Sequence, residues 1–259
     1  NGDLGKYGLV SNITHQSQFY YRNVEKQANK KITFVIISDA MRYEVGKELY
    51  ERMMDDPHCT AKLSAMMSTL PSYTRLGMAA LLPHKTLVMK DDYEVYADDV
   101  LCNDLAGRQA VLQSHCKDSA CVQFDDIKNL KVVALREIFT GKQVVYVYHN
   151  QIDARGDKAN TEDEVFVACE EAIREVMELI HRISTNANTY RFIVTSDHGF
   201  IYKRDKLAES DKIGGISGKN AWINRRYIVS KEAIDEDGVQ NLGLGYILGY
   251  DDDKVVTFP

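Results

Sequence analysis

Phe34-Val35-Ile36-Ile37-Ser38-Asp39 and Phe192-Ile193-Val194-Thr195-Ser196-Asp197-His198-Gly199 decide how this chain is read. Each is an unbroken apolar run, rich in β-branched residues, that stops on an aspartate. Alternating polarity would mark a strand with one wet face. Continuous runs of this length mark strands covered on both faces, as in parallel sheets. In open parallel sheets ligands gather beyond the carboxyl ends of the strands. Asp39 and the Asp197-His198 pair are therefore expected to meet at one edge. Carboxylates and imidazole brought together there suit a divalent cation.

A third buried run, Val144 to Tyr148, leads into His149-Asn150-Gln151-Ile152-Asp153. Between the runs the period changes. Residues 41–54 repeat Val45, Leu49 and Met53 at four-residue spacing, which predicts a helix. Pro71 opens another helix and Pro83 closes it. A long amphipathic helix is predicted over 162–184, with Phe166, Ile173, Val176 and Ile180 on one side. Weaker patterns suggest helices at 17–28, 104–115 and 130–139, and strands at 61–66, 226–229 and 254–258. Strands alternating with helices predict an α/β fold: a mainly parallel sheet sandwiched by helices. Residues 85–130 are the least legible stretch. Gly243, Gly245 and Gly249 lack the strand, glycine and helix order of a dinucleotide site and read as loop glycines. Residues 1–30 read as a polar lead-in and 31–259 as the domain, cut from a longer protein.

Composition narrows the function classes. The chain has 259 residues, 44% hydrophobic and 27% charged, a globular balance. No apolar run approaches the roughly 20 residues of a membrane span. The five cysteines are odd in number and irregular in spacing, which fits a reducing cytoplasm rather than a disulfide framework. His115-Cys116 with Cys121 lacks a second pair at finger spacing, so a zinc finger is not expected. A net charge of -6 speaks against indiscriminate nucleic-acid binding.

Four segments carry the candidate chemistry: Asp39; Thr74 within Leu70-Pro71-Ser72-Tyr73-Thr74-Arg75; Asp153-Ala154-Arg155-Gly156-Asp157; and Asp197-His198. Their order resembles the alkaline phosphatase superfamily and, within it, the PglZ domain of BREX-type phage-defence proteins. Ser38-Asp39-Ala40-Met41-Arg42-Tyr43-Glu44, the stretch from Pro71 to Pro83, Tyr148-His149-Asn150-Gln151-Ile152-Asp153 and Ser196-Asp197-His198-Gly199-Phe200 carry the resemblance. It implies an alkaline phosphatase-like core in which Asp39, Asp197 and His198 ligate one metal, with Thr74 as nucleophile and further ligand. Asp153 and Asp157 are implied ligands of a second metal. A late histidine that usually completes that second site has no counterpart before Pro259. His149 is nearby but precedes Asp153. The second site is thus expected to be incomplete in this chain.

Physical chemistry fits these roles. A threonine hydroxyl is a poor nucleophile until a cation favours its alkoxide. A helix start can help hold a phosphoryl oxygen. Arg75 is a candidate substrate contact, because its planar fork matches phosphate. Zinc suits Asp and His together; manganese is the alternative for a carboxylate-rich site. Each residue also has a plainer reading. Asp39 as a helix cap, Ser72 as competing nucleophile or cap, and Asp157 as a solvated loop acid are the main ones. Arg42, Glu44 and Arg225-Arg226 read as surface or pairing residues, His84 as a surface residue and Trp222 as packing.

The leading expectation is a metal-dependent phosphoester hydrolase, phosphodiesterase or nuclease-like, acting in phage defence on a phosphoester that includes nucleic acid among its candidates. The resemblance also implies other defence proteins as partners. The alternative is a catalytically weak scaffold or regulatory module of a defence complex. A DNA-binding module without catalysis ranks last; it requires affinity that falls steeply with salt.

Overall fold

The run ending at Asp39 forms β1 (Ile32–Ser38), the central strand of a four-stranded parallel sheet. The computed structural model describes residues 10, 12–26, 32–156, 164–184, 190–202, 221–224 and 226–258. Three helices that matter below, α1 (Tyr43–Met54), α2 (Thr74–Ala80) and α3 (Leu105–His115), precede the next strand of that sheet, β2 (Ser119–Gln123). After a helix at Val132–Phe139 come β3 (Val144–His149), α4 (Gln151–Gly156), α5 (Val165–Ser184) and β4 (Tyr190–Thr195). The sheet order is β2-β3-β1-β4, with every pair parallel.

The continuous apolar pattern is explained by cover on both faces. Val35, Ile37, Tyr146 and Tyr148 pack on one side against Leu76 and Leu112 from α2 and α3. Phe34, Ile36, Val145 and Val147 pack on the other against residues of α1 and α5. Phe34, Ile36 and Ile37 are fully buried. Burial of each such side chain stabilises by about 1.5–3 kcal/mol. This is the expected α/β architecture.

Register fixes the functional edge. Ser38 lies opposite His149, and Ile37 opposite Thr195. The residues that follow, Asp39, Asn150 and Ser196-Asp197, therefore leave the sheet at one level. A smaller antiparallel sheet joins Trp222–Ile223, Ile228–Ser230, Val255–Phe258 and Gln240–Gly243.

Several local expectations change. The helix predicted over 17–28 is a short 3-10 turn at Gln16–Gln18 followed by a π-helical turn at Tyr20–Glu25. Phe19, Tyr20 and Val24 are buried in the same core as α2. The strand predicted at 61–66 shrinks to Met66–Met67, paired in parallel with Thr14–His15. Strand β2 was missed within 85–130, because Ser119-Ala120-Cys121-Val122-Gln123 holds one β-branched residue and sits at the sheet edge. Asp157, Glu162, Arg225 and the glycines at 214, 215 and 218 lie outside the described residues.

Candidate metal centre

Asp39 follows β1 directly, and its backbone N–H donates to the His149 carbonyl at 2.8 Å. That bond continues the sheet ladder by one residue and holds the aspartate at the edge. Asp197 follows β4 and is wholly buried. Its Oδ1 accepts from the Ala40 N–H at 3.2 Å. Ala40 reaches it from the left-handed region, with φ 62°. A non-glycine residue there is strained, and such strain concentrates at functional sites.

His198 orients its ring through Nδ1, 3.0 Å from the Gly199 carbonyl. A carbonyl can only accept, so Nδ1 donates to it, and that bond turns Nε2 towards the cluster. Around Nε2 stand Asp197 Oδ2 at 3.4 Å, Asp39 Oδ1 at 3.5 Å and the Thr74 hydroxyl at 3.0 Å. Asp153, on α4, completes a group with Asp39 and His198 whose ligand atoms all lie within 4.8 Å of one another. Asp39 and His198 are buried; Asp153 is half-buried.

Electrostatics mark the cluster as charge-deficient. Asp39 Oδ1 and Asp197 Oδ2 have no hydrogen-bond partner among the described residues. Burial raises the pKa of Asp39 well above the carboxylate range, and the charges of Asp197 and Asp153 raise it further against the opposing pull of His198. Burial pushes Asp197 up to about 6, despite hydrogen bonds from the Ala40 and His198 backbone. Buried carboxylates that face one another ask for a cation. The donor set, two or three carboxylates with one imidazole nitrogen, suits a divalent ion. Asp39, Asp153 and His198 fit such an ion, and Asp197 Oδ2 adjoins the imidazole of that set.

Thr74 is the first residue of α2. Its hydroxyl, rather than that of Ser72 two residues earlier, lies within hydrogen-bond reach of His198. The helix can come this close because Gly77, one turn on, lacks a side chain. A Cβ there would stand 2.5 Å from the Asp197 carbonyl oxygen. A glycine inside a short apolar helix is the sequence signal of such close backbone approach. Arg75 lies beside the Tyr73 phenol, which burial raises and the guanidinium lowers.

The remaining candidates resolve as follows. His149 is not free to serve as a further ligand: Nδ1 lies 3.1 Å from Ser38 Oγ and Nε2 lies 2.9 Å from Glu175 Oε2. Arg42 pairs with Glu44 and stacks over Phe200, 4.8 Å from the ring centre. Trp222 packs between Tyr73 and Tyr93. His84 is half-buried rather than a surface group, its Nδ1 2.8 Å from the Leu82 carbonyl. All five cysteines are free.

A family model described as the BREX system PglZ alkaline phosphatase-like domain matches residues 19–259. The chain belongs to that family. The PglZ domain is 38% identical over 264 residues to an alkaline phosphatase-like protein PglZ of Bacillus cereus (strain H3081.97), covering 100% of this chain and 30% of that protein. It is 36% identical over 235 residues to an alkaline phosphatase-like protein BrxZ of Escherichia coli O9:H4 (strain HS), covering 88% of this chain and 27% of that protein. The PglZ domain thus spans less than a third of the length of these relatives. None of its described helices is long and apolar enough to cross a membrane.

Proposed function

We propose that this PglZ domain is a metal-dependent phosphoester hydrolase that uses Thr74 as nucleophile in a phage-defence protein. The observation that carries the reading is the Thr74 hydroxyl, 3.0 Å from His198 Nε2, beside two buried carboxylate oxygens without a donor. A divalent cation held by Asp39, Asp197 and His198 would supply Lewis-acid stabilisation to the Thr74 oxygen and to the phosphoryl oxygens. Zinc fits the mixed Asp and His donors, with manganese as the alternative. Asp153 lies close enough to share that site.

In the reaction the Thr74 oxygen forms a bond to phosphorus and the ester bond to the leaving alcohol breaks. The alcohol leaves with a proton, and the domain holds a phosphorylated Thr74. Water then adds to phosphorus, the bond to the Thr74 oxygen breaks, and the hydroxyl is restored with its proton. Ala40 and Gly199 hold Asp197 and His198 in place through their backbone groups during both steps. Arg75, next to the nucleophile, is assigned to the non-bridging oxygens.

The similarity to defence proteins supports a phosphodiester, nucleic acid included, as substrate and other defence proteins as partners. The reading is tested by hydrolysis of a chromogenic phosphodiester with zinc or manganese added. Activity that depends on the ion and disappears in Thr74→Ala and Asp197→Ala is expected. Undiminished activity in both variants would overturn the assignment.

A further inference from the structure

A buried, fully hydrogen-bonded side chain near the site belongs to none of the site segments. Gln16 has no exposed surface. Its Nε2 donates to the Ser196 carbonyl at 3.0 Å and to the Asp197 carbonyl at 2.6 Å. Its Oε1 accepts from the Thr69 N–H at 3.1 Å and from the Thr69 hydroxyl at 3.3 Å. One primary amide therefore ties together two stretches that lie 53 and about 180 residues away along the chain.

The carbonyls it serves belong to Ser196 and Asp197, which follow the end of β4 and have left the sheet ladder. Buried carbonyls without a ladder partner need another donor. Thr69 lies in the segment that leads to α2. The same segment is held by Tyr246, whose hydroxyl contacts both the Leu70 N–H and the Leu70 carbonyl. The Asp197 carbonyl is also the atom that a Cβ at Gly77 would strike. The peptide that projects Asp197 and His198 is thus bounded by the Gln16 amide and by the helix that begins at Thr74. Gln16 is itself anchored on both sides. Thr14–His15 pairs with Met66–Met67, and Phe19, Tyr20 and Val24 are buried in the core.

We infer that Gln16 is a positioning residue that sets the spacing between the cation ligands Asp197 and His198 and the Thr74 hydroxyl. It acts through backbone and touches no reacting atom. The inference rests on the proposed use of this site to hold a divalent cation. It also makes residues before the first strand part of the site's framework.

The test is zinc titration by calorimetry in the full chain, with amide exchange over residues 192–200 followed in metal-free protein. Three variants are compared: Gln16→Met, which keeps the length and loses every hydrogen bond; Gln16→Glu, which keeps the acceptor for Thr69 and loses the donors; and Val24→Ala, which damages the same segment only by lost packing. Groups that orient metal ligands typically change affinity by about 10–100-fold when replaced. Gln16→Met and Gln16→Glu are expected to lose zinc affinity in that range and to exchange faster over 192–200. Val24→Ala should lower the melting temperature and leave zinc affinity at the wild-type value. Wild-type zinc affinity in the folded Gln16 variants would overturn the inference. If the wild-type chain binds no zinc, the functional reading fails and the exchange data decide for Gln16. Faster exchange over 192–200 than in Val24→Ala then upholds its positioning role, and equal exchange removes it.

Discussion

Two buried polar clusters stand beside the end of the same strand, and they are built on opposite terms. On the α5 face, Ser38, His149 and Glu175 form a closed chain of hydrogen bonds. His149 donates from Nε2 to the carboxylate and hydrogen-bonds through Nδ1 with the serine hydroxyl, so both ring nitrogens are used. One residue further along the chain, Asp39 faces Asp197 and His198, and a buried oxygen of each carboxylate lacks a donor among the described residues. The first cluster is an internal brace. The second keeps lone pairs in reserve in a place where an unpartnered charge is costly. Ser38 and His149 are buried, as are Asp39 and Asp197; their hydrogen bonds differ.

The comparison can be broken in four ways. Thr74→Ala should reduce hydrolysis of a phosphodiester at least about a thousandfold in kcat/KM, because removing a nucleophile removes the covalent route. Steady-state assays in zinc check it. His198→Ala should weaken zinc binding by more than the roughly 10–100-fold typical of groups outside the ligand shell. Calorimetry measures that loss. The stability of the folded protein without zinc should change little.

A third prediction concerns pH. Asp197 titrates near 6 in the folded protein and at 3.8 as a free side chain, so the folded state holds a proton more tightly. Its burial therefore costs stability above pH 6, and the cost fades as pH falls through 6 towards 3.8. Chelator-treated Asp197→Asn should accordingly be more stable than wild type at pH 8, by at most about 3 kcal/mol. The two should converge near pH 4. Thermal melts of the pair isolate this group from His15, which burial holds near 4 and which loses stability in the opposite direction as pH falls below 6.5. Zinc should reverse the order at pH 8 by stabilising wild type alone.

The smallest effect should come from the closed cluster. Glu175→Ala leaves the His149 Nε2–H without its acceptor and should cost about 1–3 kcal/mol in denaturant unfolding. Zinc affinity should remain at the wild-type value. A large loss of zinc binding in this variant would merge the two clusters into one functional unit.

The sequence makes the edge with the candidate site legible because three of its strands advertise themselves. Continuous β-branched runs read as buried parallel strands, and the polar residues at their ends read as ligands. Thr74 is legible through Pro71 and Pro83, which bound its helix. The less visible parts follow other rules. Strand β2 is short, has a single β-branched residue and lies at the edge, so no periodicity exposes it. Glu175 sits in a helix whose pattern reports only its apolar side, and its pairing with His149 is a tertiary fact. Gln16 lies in a polar stretch that resembles any surface segment, since a hydrogen-bonding amide leaves no trace in hydropathy. His149 shows the converse limit: a histidine beside the right aspartate looks like a ligand until its partners are seen.

The order of strands has a consequence for how the molecule is made. Among the described strands of the sheet, β1 is the most apolar and comes earliest in the sequence, yet it lies inside the sheet. Its neighbours start at Val144 and Tyr190. During translation, β1 must wait for more than a hundred further residues before either flank can zip onto it. Pairing across such separations is slow and leaves a sticky ribbon uncovered meanwhile. A ribosome stalled before residue 190 would hold a chain in which one side of β1 has no partner strand.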